Sequence, residues 1–192
     1  MEKCRRLILI GSTGRNSGKT FLAAELIRRF SPVPVTALKI TGIERHGGPC
    51  PRGGQGCGAC AISGDFCLEE ELSPNGTKDT SVLLAAGAKK VFWLRCLHSA
   101  LARGFAAFLN QAGGESIGDG IIICESNSLR EVLEPAAFIM INDAEGSPPK
   151  PSAQRNAGKS DFTLQSPVSA NDVTSLLQAL SKKGFPASSC LS

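Results

Sequence analysis

The sequence predicts an α/β domain built on a doubly wound, mainly parallel sheet of the P-loop nucleoside triphosphatase type, carrying a cysteine-rich loop insertion. Three observations lead there. Short runs of nearly unbroken Ile, Leu and Val alternate with longer amphipathic runs. The first apolar run ends in a glycine-bearing loop that opens straight into a helical pattern. A chain of 192 residues that is 42% hydrophobic has enough apolar side chains for one sizeable core. Strands of continuous β-branched and leucine residues are those buried on both faces. Their alternation with helices implies right-handed crossovers and parallel pairing.

Taken in order, RLILIG at 6–11 reads as the first buried strand, and 18–30 as a helix with Leu22, Leu26 and Ile27 on one stripe. VTALKIT at 35–41 is a second strand. A helix over 79–88 starts from Asp79 or Thr80 as cap and stops at Gly87. A strand at 90–96 and a helix at 99–114 follow. The sequence then gives a strand at 120–126, a short helix at 129–135, a strand at 137–143, a short strand at 161–165 and a closing helix at 170–183. Residues 1–183 form a single nucleotide-binding domain, 144–160 a Pro/Gly/Ser loop and 184–192 a flexible tail. Residues 42–78 break the rhythm with nine of the 21 glycines and no sustained periodicity. A long segment of that kind inside a compact domain is either functional or disordered.

Several classes are set aside. The net charge of +4 is a mild excess, and one Trp with no Tyr offers few surfaces for stacking bases, so no nucleic-acid partner is expected. Lys150, Arg155 and Lys159 read as a solvated loop. The basic start and short apolar run of MEKCRRLILIGSTG imitate a secretion signal, but a Gly-Lys-Thr loop stands where a cleavage site belongs. No apolar stretch approaches the ~18 residues of a membrane span. The expectation is a cytoplasmic protein without membrane contact, whose eight cysteines stay reduced.

GSTGRNSGKT at 11–20 matches the end of the phosphate-loop pattern G-x-x-x-x-G-K-[ST] at Gly18, Lys19 and Thr20. Thr13 stands where the first glycine belongs, flanked by Gly11 and Gly14. The chemistry asks that backbone N–H groups turn inward around phosphate oxygens at the head of a helix whose dipole favours anions. Gly14, Arg15, Asn16, Ser17 and Gly18 supply that cradle. Lys19 neutralises the β- and γ-phosphates, and Thr20 offers its hydroxyl to Mg²⁺.

In an open parallel sheet, ligands sit beyond the carboxyl ends of the strands. Lys39, Glu125, Asn142 and Asp143 close apolar runs at that edge, and Asp79 opens a helix facing it. Glu125 reads as a Mg²⁺ or water ligand. Lys39 reads either as an anion contact or as a snorkelling surface lysine. Asn142 and Asp143 read as a turn signal before a base contact.

These stretches resemble the molybdopterin-guanine dinucleotide biosynthesis protein B family. NSGKT at 16–20, VTALKIT with Lys39, and GTKDTSVLLAAGAKKVFWL at 76–94 carry the resemblance, with IIICES at 121–126 fitting less specifically. It covers about residues 5–130. It implies GTP or ATP binding, slow hydrolysis, a homodimer, and work with a molybdopterin-type cofactor or a cofactor-synthesis enzyme. By position it implies Lys19 and Thr20 on nucleotide, Glu125 at Mg²⁺ and Asp79 near it, so Lys19, Glu125 and Asp79 form the catalytic set. The chain departs from the family at Thr13, and at Ile40 and Thr41, where the family carries histidine.

Cys50, Cys57, Cys60 and Cys67 are spaced C-x6-C-x2-C-x6-C. Four thiolates suit Zn²⁺ or an iron–sulfur cluster, and ligation would order a loop with little apolar surface. His46 is an alternative ligand. Cys4, Cys96, Cys124 and Cys190 read as core or tail residues, and Glu69, Glu70 and Glu71 as a solvated charge run. Three functional readings follow: a Mg²⁺-dependent triphosphatase in molybdenum- or tungsten-cofactor handling, a nucleotide-gated metallochaperone, and a nucleotide-binding adaptor without turnover.

Overall fold

The fold is set by seven strands in the order β3-β4-β2-β5-β1-β6-β7, all parallel to their neighbours except β3. The computed structural model describes residues 2–43, 61–113, 120–143 and 148–186. The strands are β1 (Glu2–Ser12), β2 (Val35–Ile43), β3 (Phe66–Glu70), β4 (Lys90–Leu97), β5 (Ile121–Glu125), β6 (Leu133–Asn142) and β7 (Phe162–Gln165). The helices are α1 (Lys19–Phe30), α2 (Asp79–Ala85), α3 (Leu101–Ala112), α4 (Pro151–Gln154) and α5 (Ala170–Lys182).

Alternation along the strands divides the core in two. Ile8, Ile10, Ala37, Val91, Ile123 and Ile139 face α1, α2 and α5. Leu7, Leu9, Leu38, Phe92, Cys124 and Phe138 face the other way, against Leu101, Phe105 and Phe108 of α3. Both faces of the central strands are covered, as their unbroken apolar sequence requires. The stripe expected on α1 is buried: Leu22 and Leu26 are fully enclosed and Ile27 nearly so.

The expectations fail at four places. The span 129–135 is not a helix. A 3-10 turn covers Ser128–Glu131, and β6 begins at Leu133. Pro135 disfavours a helix interior, and it pairs instead with Cys4 beside a bulge in β1. The cysteine-rich segment is not wholly irregular, because β2 runs to Ile43 and Phe66–Glu70 adds an antiparallel edge strand on β4. The tail beginning at 184 is not entirely loose, since Phe185 is buried against Phe30 with ring centroids 6.3 Å apart. α4 is a single turn inside the span read as a loop.

Among the described residues no helix is long and apolar enough to cross a membrane. The core argument yields a direct test. Leu26→Ala leaves a cavity between α1 and the sheet and is expected to lower stability by about 2–5 kcal/mol in urea unfolding. A loss under ~1 kcal/mol would contradict the packing described.

Candidate functional site

The loop after β1 is held open by contacts from β6. Thr13 donates its N–H to the Ile141 carbonyl (3.0 Å), and its hydroxyl accepts from the Asp143 N–H (2.8 Å). This explains a threonine at 13, which extends the pairing of β1 and binds β6 with its side chain. The close approach falls one residue later. A Cβ on Gly14 would lie 1.9 Å from Asp143 Oδ2, so only glycine fits. Asn16 (φ 52°) and Gly18 (φ 87°) are both left-handed and coil the chain into the head of α1. No side chain caps that helix, and its first turn holds no acidic residue. Its leading amides and positive dipole end are therefore directed at the loop.

Inside the coil, Lys19 Nζ donates to Ser12 Oγ (2.7 Å), and Ser12 Oγ donates to the Gly14 carbonyl (2.9 Å). The Ser17 hydroxyl is buried with no partner among the described residues. Such a group is costly unless a ligand or water completes it.

Register carries the site across the sheet. Ile10 aligns with Glu125, Glu125 with Lys39, and Lys39 with Trp93, so Glu125, Lys39 and Trp93 share the face of α1 and α2. Glu125 is 4% exposed. Its Oε2 accepts from the Thr20 hydroxyl (3.1 Å), and its Oε1 is buried without a partner among the described residues. Lys39 forms an ion pair with Asp79 at the head of α2. Burial pushes the Glu125 carboxyl above its ordinary range, while Lys39, Lys19 and the Thr20 hydroxyl oppose that rise. Burial likewise pulls Lys19 below its usual value against the attraction of Glu125.

A cleft of about 720 Å³ runs over this edge. Arg15 through Thr20, Lys39, Asp79 and Glu125 all line it, so the structure brings the expected nucleotide-side residues together, with Gly14 in the adjoining loop. Cys50, Cys57, Cys60, Cys190 and His46 lie outside the described residues. Cys67 is described on β3, where its sulfur accepts from Arg95 Nη2 (3.4 Å).

Three groups went unforeseen. Lys150, expected in a solvated loop, lines the cleft and donates Nζ to the Gly14 carbonyl (2.5 Å). Asn127 imitates a strand neighbour. Its Oδ1 accepts from the Ser12 N–H (2.7 Å), and its Nδ2 donates to the Ser12 carbonyl (2.8 Å). Asn156, fully buried, donates to the carbonyls of Asn127 (3.0 Å) and Ser152 (2.9 Å). A polar residue just past the apolar run of β5 was the available signal for Asn127. Asn156 had none, because its partners come from 29 and 4 residues away. The glutamate run is exposed at Glu69 and Glu70 as expected, though Glu69 pairs with Arg95 (2.6 Å); Glu71 departs from that reading, accepting from Thr80 (2.8 Å) and Ser81 (3.2 Å).

The observed class is an α/β protein with a seven-stranded, mostly parallel sheet flanked by helices, compatible with a Rossmann-like or P-loop-like fold. No known family model, curated protein or solved structure matches the chain.

Two outcomes test this geometry. The folded chain holds the Glu125 proton to higher pH than the unfolded chain, where the value is near 4.5. Ionisation of Glu125 therefore removes stability as pH rises through and above that range. Ligand-free Glu125→Gln should melt above the parent at pH 8, with the gap closing towards pH 4. For a domain of this size each kcal/mol is worth about 2–4 °C. An equal Tm at pH 8 would rule out burial as the governing influence. Gly14→Ala should cost about 1–3 kcal/mol by overpacking. Adding Asp143→Ala should recover at least ~0.5 kcal/mol of it, and strict additivity would contradict the contact.

Proposed function

We propose that the chain binds a nucleoside triphosphate, GTP or ATP, together with Mg²⁺ and hydrolyses it slowly. The observation that carries this reading is the buried Glu125 carboxyl group, with one oxygen unpartnered among the described residues, beside the Thr20 hydroxyl at the end of a coiled, glycine-bearing loop. Two hard oxygen donors of this kind suit Mg²⁺, which keeps several waters and takes few protein ligands. When bound, Mg²⁺ offsets charge on the β- and γ-phosphates.

The chain's own groups do the rest. The leading amides of α1 and the Ser17 hydroxyl bind phosphate oxygens. Lys19 leaves Ser12 for the phosphates, and its ammonium stabilises negative charge as the terminal phosphoryl departs. Asn127 and Lys150 fix the loop's entry and its Gly14 carbonyl, so little reorganisation accompanies binding. Slow turnover, a homodimer, and a place in molybdenum- or tungsten-cofactor assembly or delivery rest on the sequence resemblance over residues 5–130.

A second reading, a nucleotide-gated metallochaperone with Zn²⁺ or an iron–sulfur cluster at the four cysteines, is favoured by one contact chain. Arg95 touches Cys67 (3.4 Å) and lies over Trp93 (4.6 Å to the ring centroid), which lines the cleft. Under that reading, metal affinity changes when nucleotide is added.

The main proposal is tested by calorimetric titration with Mg²⁺ and either purine triphosphate. Saturable binding is expected, and Lys19→Ala should weaken it at least ~100-fold, about 2.7 kcal/mol. Unchanged affinity in the variant would remove the loop from nucleotide binding.

A further inference from the structure

The cleft extends past the phosphate-loop residues to side chains of β2, β4 and the turn after β5. Lys19, Thr20 and Glu125 gather on the β5 side of β1 and fix where the terminal phosphates sit. Under the nucleotide reading proposed above, the nucleoside would lie on the other side of β1. There Lys150 reaches the loop, and Val168 lies 3.8 Å from where a Cβ on Gly18 would be. The half over β2 and β4, lined by Lys39, Thr41, Asp79, Trp93, His98 and Ser128, therefore lies ahead of the terminal phosphate.

We propose that this half binds a second substrate, a nucleoside-like alcohol with a planar ring and a primary hydroxyl, which accepts the γ-phosphoryl group. The inference rests on the nucleotide reading above and goes one step past it. Three features select that class. First, among the described residues the lysine that lines this half is matched by a carboxylate, Lys39 with Asp79, and Arg95 beside it is held by Glu69 (2.6 Å). Among the described residues lining this half, a second polyanion finds no surplus positive charge, whereas an uncharged molecule needs none. Second, Trp93 donates its indole N–H to Thr41 (3.0 Å) and lies under the Arg95 guanidinium, so its polar need is met. Trp93 lines the cleft with its polar N–H already bonded, and an indole in that position suits offset stacking with another planar ring. Third, the junction of the two halves holds the buried, half-satisfied Glu125 and the Asp79 carboxylate, whose side chain is 44% exposed.

The reaction balances within these groups. The acceptor hydroxyl oxygen forms a bond to the γ-phosphorus. The bond from that phosphorus to the β,γ-bridging oxygen breaks, and its electron pair leaves on the nucleoside diphosphate. The hydroxyl proton passes to Asp79. Slow hydrolysis is then the same transfer to water when the second half is empty.

The assay exploits composition. Trp93 is the chain's one tryptophan and there is no tyrosine, so emission excited at the indole band reports this half alone. The full chain with Mg²⁺ and γ-labelled ATP or GTP is titrated with adenosine, guanosine, cytidine and uridine. At least one should change Trp93 emission saturably and acquire label. Asp79→Asn should keep that emission change while slowing transfer by about 100-fold or more. If the triphosphate binds but no nucleoside alters emission or gains label, the proposal is overturned and the nucleotide reading stands. A nucleoside that binds without gaining label overturns the acceptor role, and unimpaired transfer in Asp79→Asn overturns the assignment of the proton. If the triphosphate itself fails to bind, both readings fall.

Discussion

The rest of the site depends on one constraint, the placing of a carboxylate inside the sheet edge. An isolated ionised carboxylate is too costly to bury. Glu125 is tolerated because register puts Lys39 beside it on β2, while α1 brings Lys19 and the Thr20 hydroxyl to it from above. The balance is incomplete, since one oxygen has no partner among the described residues and burial still outweighs the attraction of both lysines. A site left in that condition favours a ligand that brings positive charge to the oxygen and negative charge to Lys19. A Mg²⁺-bound polyphosphate does both at once. Lys19 itself is held at the loop by the Ser12 hydroxyl, which accepts from its ammonium.

The surrounding hydrogen bonds hold this tension in place. Asn127 gives Ser12 both a donor and an acceptor at the end of β1, so the strand is held on this side two residues beyond Ile10, the partner of β5's last residue Glu125. A Cβ on Gly11 would lie 2.6 Å from that same Asn127 oxygen, which makes the small residue part of the arrangement. Asn156 then ties Asn127 to the turn after α4 from a fully buried position. The chain after β6 thus returns to brace the loop after β1. Lys150, on that returning segment, reaches Gly14 directly. Preorganisation of this kind spares the binding step the ordering of a flexible loop.

The legible part of the molecule was the part with a local signature. Unbroken apolar runs marked β1, β2, β4, β5 and β6, because burial on both faces leaves a composition that needs no tertiary knowledge. The Gly-Lys-Thr sequence marked the head of α1, and strand ends marked Lys39 and Glu125. What escaped depends on pairing between distant residues. β3 is short, exposed and acidic, and becomes a strand only because β4 offers it an edge. Thr13 read as a defect in a motif until its partners on β6 were known. The 3-10 turn at Ser128–Glu131 and the early start of β6 share residues whose pattern suits a helix, and the pairing of Leu133 and Pro135 with β1 decides between the two.

Glu71 shows how such long-range pairing turns a surface residue into part of the site's frame. As one of three consecutive glutamates it looks like solvated charge. In the fold its carboxylate accepts from Thr80 and Ser81 in the first turns of α2 and from the Ser73 N–H. The Thr80 hydroxyl foremost, and then the Ser73 amide, hold its carboxyl below the usual range. The α2 residue next to Thr80 is Asp79, which pairs with Lys39, and Lys39 is the largest single counterweight to burial of Glu125. The C-terminal part of the cysteine-rich segment is therefore fastened to the helix that sets the cleft's charge balance. Displacing β3 would pull on Glu71, shift the head of α2 and loosen Asp79 from Lys39. The attachment of that segment and the charge balance of the cleft thus share the first turn of α2, through Glu71 on one side and Asp79 on the other.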